Sequence, residues 1–151
     1  MVNPALITSD KVLIDSNIFI YTLDESIGHT EKVRLYLEGL FSSNLELFVS
    51  TQNILEIKRV VTHPTFEKKR IKVDIDRIIN NWLKNITLIY GDEQVWYEYL
   101  ELSQKYSVKG NQVFDLWLVA TMKANNIKII ITANTKHFKK YRGITALDPL
   151  N

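Results

Sequence analysis

The chain has 151 residues, 46% of them hydrophobic and 24% charged, with a net charge of +2. This composition suits one compact domain spanning 1–151 with a full core, and it excludes an intrinsically disordered chain. The absence of cysteine excludes a disulfide framework, thiol catalysis and thiolate zinc sites. No basic stretch followed by a long apolar run opens the chain, so no signal peptide is expected. No apolar run approaches the roughly 20 residues needed to span a bilayer. The protein is expected to be soluble and cytoplasmic, with no membrane partner.

In chain order, Val12-Leu13-Ile14 reads as a buried strand, because a short aliphatic run bounded by polar residues has no solvated face. Ile18-Phe19-Ile20 opens a short helix that Ser16 or Asn17 can cap. Asp15 then stands at the carboxyl end of a central strand, the rim where open α/β sheets bind ligands. A polar bend over Thr22–Gly28 leads to a helix from His29 to Phe41, with Val33, Leu37, Leu40 and Phe41 on one stripe. Leu45–Val49 reads as a second strand, followed by a helix that Ser50 or Thr51 can cap. Along that helix Ile54, Ile57 and Val61 form an apolar stripe, while Gln52, Glu56 and Arg59 form a polar one. His63-Pro64 is expected to stop it.

The spacing of Ile75, Ile78, Ile79 and Trp82 predicts a helix over Ile71–Leu83. Ile86–Tyr90 reads as a third strand, Gly91 as a turn, and Asp92 as the cap of a helix carrying Val95, Tyr99 and Leu102 towards Tyr106. After a loop at Lys109–Gln112, a helix from Val113 to Asn125 places Asp115 in its first turn. Lys128–Thr132 is a fourth strand, His137–Tyr141 a short helical piece and Ile144–Leu147 a fifth strand. Strands separated by helices imply an α/β sandwich with a mostly parallel sheet.

Three acids share a positional logic. Asp15 ends the first strand, Glu56 sits early in the helix after the second, and Asp115 opens the helix before the fourth; Asn134 lies just beyond that fourth strand. With parallel strands all four approach one rim. Taken singly, Asp15 reads as a helix cap and Glu56 as a solvated residue paired with Arg59. Asp115 amid Phe114, Leu116, Trp117 and Leu118 needs a partner, since an acid in so apolar a helix start is costly alone. Carboxylates gathered on one rim repel unless a cation lies between them, and Mg²⁺ or Mn²⁺ prefer such oxygen ligands. That cluster suits metal-assisted attack of water on a phosphodiester.

The run Val12-Leu13-Ile14-Asp15-Ser16-Asn17-Ile18-Phe19-Ile20 resembles the opening of the PIN-domain family. Glu56, then Asp115-Leu116-Trp117-Leu118-Val119-Ala120-Thr121, then Ile131-Thr132-Ala133-Asn134-Thr135-Lys136-His137-Phe138 follow in that family's order, so the resemblance covers Lys11 to Pro149. It implies a Rossmann-like three-layer α/β/α sandwich with a five-stranded sheet. It also implies a Mg²⁺- or Mn²⁺-dependent endoribonuclease and often the VapC-like toxin of a toxin–antitoxin pair. By the same resemblance Asp15, Glu56 and Asp115 hold the metal, and Ser16, Asn17 and Asn134 orient waters, ligands or the phosphate. A homodimer and a small antitoxin are the implied partners, with RNA as substrate. Many members carry a fourth acid where this chain has Asn134, whose amide can coordinate but brings no charge. One metal bound well and a second bound weakly is therefore expected.

Lys136, Lys139, Lys140 and Arg142 could hold an RNA backbone, an ordinary solvated surface explaining them equally well; Lys68–Lys72 is a weaker candidate that otherwise only flanks a helix start. Trp82, Trp96, Trp117, Phe19 and Tyr21 read as core. His29, His63 and His137 lack metal-ligand spacing and read as surface or loop residues, with His137 the best candidate of the three to touch substrate. The rival readings are an RNA-binding module whose catalysis has lapsed, a housekeeping RNA-processing nuclease, and a phosphohydrolase with an aspartyl nucleophile. The last wants an acid where Asn17 stands.

Overall fold

The computed structural model describes residues 7, 9–67 and 74–151. Five strands, β1 (Lys11–Ile14), β2 (Glu46–Ser50), β3 (Thr87–Ile89), β4 (Ile129–Ile131) and β5 (Thr145–Leu147), form one sheet in the order β3-β2-β1-β4-β5. Every neighbouring pair is parallel. The expected mostly parallel sheet is thus parallel throughout.

The inner strands β1, β2 and β4 are largely buried on both faces, and the side-chain alternation divides the core in two. Val12 and Ile14 of β1, Leu47 and Val49 of β2, and Ile129 and Ile131 of β4 join one cluster. Against it pack α1 (Ser16–Leu23), α2 (Thr30–Phe41), α3 (Thr51–Val61) and α5 (Ile75–Trp82), through residues such as Phe19, Leu37, Ile57 and Ile79. Leu13 and Ile130 face the other way, under α6 (Glu93–Lys105), α7 (Gln112–Ala124) and α8 (Thr135–Phe138). The result is the expected α/β/α sandwich. A four-residue helix, α4 (Pro64–Glu67), and a 3₁₀ turn over Glu25–Ile27 complete the described elements.

Several local readings need adjusting. His63-Pro64 does not merely stop α3, because the fixed φ of Pro64 also starts α4. Neither Ser16 nor Asn17 caps α1. Asp15 occupies that position, accepting from the Ser16 N–H. Gln112 belongs to α7 rather than to the preceding loop. The expected helix start at Ile71–Val73 and the basic run Lys68–Lys72 lie outside the described residues.

Trp96 is not core. The inner stripe of α6 runs through Val95 and Leu102, and one residue further round the helix leaves Trp96 48% exposed, its ring lying flat on Tyr99. Trp82 and Trp117 are half-buried, the former packed on Phe19.

Candidate metal centre and its cleft

The strand order reverses direction between β1 and β4. At such a switch point the connecting elements diverge to opposite faces and open a crevice beyond the carboxyl ends of the two strands. Asp15 follows β1 directly, and Thr132, Ala133 and Asn134 follow β4. The Asp15 N–H still donates to the Ile131 carbonyl at 3.0 Å, so the ladder runs to the very edge of the crevice.

Asp15 is 7% exposed and held by neutral donors. Its Oδ1 accepts from the Ser16 N–H at 2.7 Å and from Asn53 Nδ2 at 3.2 Å. Its Oδ2 accepts from Asn17 Nδ2 and from Thr132 Oγ1, both at 2.7 Å. Each partner is itself fixed. Asn17 Oδ1 accepts from the Ala133 N–H, and Thr132 Oγ1 accepts from the Asn134 N–H, each at 3.0 Å. Asn53 belongs to a capping box with Ser50 at the start of α3. Despite these donors, burial pushes the Asp15 carboxyl up to about 6, helped by the charge of Glu56 and opposed by the Thr132 and Ser16 bonds.

Glu56 reaches the same place from α3, where its Oε2 accepts from Ser16 Oγ at 2.6 Å. Asp115, from the first turn of α7, accepts from His137 Nδ1 at 3.2 Å. Partial burial raises its carboxyl above the usual range, His137 and Lys140 pull it back, and Glu56 adds to the rise. Asn111 holds the cap position of α7, without a side-chain bond. Asn134 stands at the start of α8, exposed and with its amide unused as a cap.

Asp15, Ser16, Asn17, Glu56, Asp115 and Asn134 all line one open cleft of about 1040 Å³. Arg59, Phe114, Trp117 and His137 share its walls. The basic residues Lys136, Lys139, Lys140 and Arg142 are exposed but outside that lining, although the charge of Lys140 is felt by Asp115. His29 and His63 are exposed and away from it.

Sequence reasoning missed Asn53 and Thr132. Asn53 was legible as the fourth residue of Ser50-x-x-Asn53, a capping pattern at a strand–helix junction. Thr132 was legible only as a member of the Ile131–Phe138 segment at the end of β4, with nothing to mark it as a partner of Asp15.

The donor set is all hard oxygen: three carboxylates with an amide and a hydroxyl beside them. Among the described residues no three acidic or histidine side chains are gathered tightly enough to form a ready-made cage. The mutual repulsion of Glu56 with both Asp15 and Asp115 nevertheless calls for a cation. Mg²⁺ fits this arrangement, because it keeps several waters and is commonly held by one or two carboxylates.

The fold and cleft define a doubly wound α/β protein with an acidic crevice at its switch point. The family model of the PIN domain matches residues 12–144, and the chain belongs to the PIN-domain family. No curated protein matches the chain. Among solved structures it is similar to VapBC2 from Rickettsia felis, bound to a DNA fragment from their promoter, at 21% identity and a TM-score of 0.66, covering 91% of this chain and 98% of that one. It is similar to VapBC-1 from nontypeable Haemophilus influenzae at 21% identity and a TM-score of 0.64, covering 93% and 99%. FitAcB from Neisseria gonorrhoeae matches at 16% identity and a TM-score of 0.61, again covering 93% and 99%. Among the described residues no helix is long and apolar enough to cross a membrane.

Proposed function

We propose that this protein is a Mg²⁺- or Mn²⁺-dependent endoribonuclease, the toxin of a toxin–antitoxin pair, working in the cytoplasm as a single PIN domain. The observation that carries this reading is the convergence of Asp15, Glu56 and Asp115 on one cleft at the switch point. Membership of the PIN family supports nuclease chemistry. The toxin role is supported by likeness to a toxin–antitoxin complex from Klebsiella pneumoniae, at a TM-score of 0.60 and 21% identity. A small antitoxin and a second copy of the chain are the proposed partners.

Asp15, Glu56 and Asp115 would hold the ion. When bound, such an ion lowers the pKa of a coordinated water and stabilises charge on the leaving oxygen. The chain's own residues hold the carboxylates in place. Asn17, Thr132 and Asn53 fix both oxygens of Asp15, Ser16 fixes Glu56, and His137 fixes Asp115. Asn134 is left to orient water or phosphate, and Lys136, Lys139, Lys140 and Arg142 to attract the RNA backbone at longer range.

The deciding experiment is cleavage of a mixed pool of transfer RNA and messenger-like RNA, with Mg²⁺ or Mn²⁺ and then with chelator. Asp15→Ala protein serves as the control for contaminating nuclease. Metal-dependent cleavage that the variant lacks establishes the enzyme. RNA bound without cleavage by folded wild-type protein establishes the lapsed-nuclease reading, which the uncharged Asn134 favours.

A further inference from the structure

Five large apolar side chains stand open to water on three different helices. Leu55 on α3, Val113 and Phe114 on α7, and Trp96 and Leu100 on α6 are between 36% and 67% exposed. They belong to one surface. Gln52 Nε2 of α3 donates to the Phe114 carbonyl at 3.3 Å, and Leu55 and Phe114 both line the cleft. The Trp96 ring lies 6.3 Å from that of Trp117, which lines the same cleft. Side chains of this size and exposure present roughly 500 Å², near the largest patch that a monomer leaves open and more than half of the roughly 800 Å² that each partner of a standard interface buries.

Charge decides what covers this patch. Helix α6 and its cap carry Asp92, Glu93, Glu98 and Glu101; among the described residues only Glu101 has an ion pair, with Lys105. That acidic surplus repels a phosphate backbone and argues against nucleic acid here. At the other end of the patch, Arg59 stands one turn beyond Leu55 on α3, exposed and without an ion pair among the described residues. Lys58 beside it does find an acid, Asp76, at 2.7 Å. An apolar centre with a cation at one end and acids at the other is complementary to itself after a half-turn. An isologous twofold interface requires that property.

We propose that this face seats a second copy of the chain about a twofold axis, the apolar side chains meeting at the centre and Arg59 of each copy facing the α6 acids of the other. This rests on the second-copy reading above and deepens it by naming the surface. Because Leu55 and Phe114 belong both to the face and to the cleft, the second copy also walls the lip of the cleft. A single chain keeps its carboxylates and loses that wall.

The test is sedimentation velocity of the full chain across micromolar concentrations, with circular dichroism confirming that each variant folds. Wild type sediments as a dimer. Leu100→Lys, which lies outside the cleft, puts a charge in the apolar centre and weakens the dimer about thirtyfold or more, the worth of one hot-spot side chain. Arg59→Glu weakens it about tenfold at low salt, and adding Glu93→Lys and Glu98→Lys to the same chain restores it. Monomeric Leu100→Lys titrates with Mn²⁺ as wild type does, yet cleaves a mixed RNA pool more slowly per chain at equal concentration. A wild-type dimer that none of these changes weakens lies on another surface, which overturns the proposal while the second-copy reading stands. A wild-type monomer overturns both and leaves the face to the antitoxin. Failure of the triple variant to recover overturns the pairing of Arg59 with α6. Unchanged cleavage by monomeric Leu100→Lys overturns the wall. A wild-type dimer that cleaves nothing overturns the nuclease reading and the wall with it, and leaves the interface standing.

Discussion

Ser16 Oγ donates to Glu56 Oε2 at 2.6 Å and lies 3.3 Å from Asp15 Oδ1. A hydroxyl has one proton, and the shorter contact takes it, so Ser16 joins the start of α1 to the face of α3 and leaves Asp15 to its other donors. The two carboxylates are thereby held near each other, and the electrostatic consequences can be measured.

The first concerns pH. Burial raises Asp15 from 3.8 to about 6. Because the folded-state value lies above the unfolded one, the folded chain binds the extra proton, and this stabilising contribution is fully present below 3.8 and lost as pH rises through about 6. The gap is worth about 3 kcal/mol. Urea denaturation of wild type and Asp15→Asn across pH 4 to 7 isolates it, since other groups cancel in the difference. The wild type loses stability relative to the variant by about 2 kcal/mol over that range. A constant difference would rule out the raised value.

Asn53 is fully buried and serves two masters, the capping box of α3 and the Asp15 carboxylate. Asn53→Ala removes the cap and one donor to a buried charge, so it costs about 2 kcal/mol in denaturant unfolding. It also raises the Asp15 carboxyl further, because a bond favouring the ionised form is gone. A loss below about 0.5 kcal/mol would place Asn53 outside the network.

Asn134 brings an amide where a fourth carboxylate would bring charge. Asn134→Asp is expected to tighten a second, weak Mn²⁺ site with little change in the first, read by calorimetric titration. Equal stoichiometry and affinity in both proteins defeats the one-strong, one-weak expectation.

Tyr36 is 3% exposed, and its hydroxyl has no partner among the described residues; burial raises that phenol to about 12. Tyr36→Phe keeps the ring and removes the stranded hydroxyl, so the protein gains about 1 kcal/mol in thermal or urea unfolding. A loss of stability instead would reveal a bound water serving that oxygen.

The sequence by itself determined the sheet and most of the candidate site. Aliphatic runs such as Val12-Leu13-Ile14, short and bounded by polar residues, read as strands covered on both sides, and parallel pairing then sends every following residue to one rim. That logic brought Asp15, Glu56, Asp115 and Asn134 to a common cleft from four distant segments. The tertiary structure alone decided what each of them touches. Thr132 meets Asp15 across 117 positions, and His137 turns to Asp115 because α8 starts where β4 ends. Helical phase decided Trp96, which one residue's rotation carries out of the core, and Arg59, whose expected pairing with Glu56 gives way to Ser16. Periodicity fixes which face a residue occupies, whereas partners depend on which elements the fold lays alongside, and no local pattern carries that information.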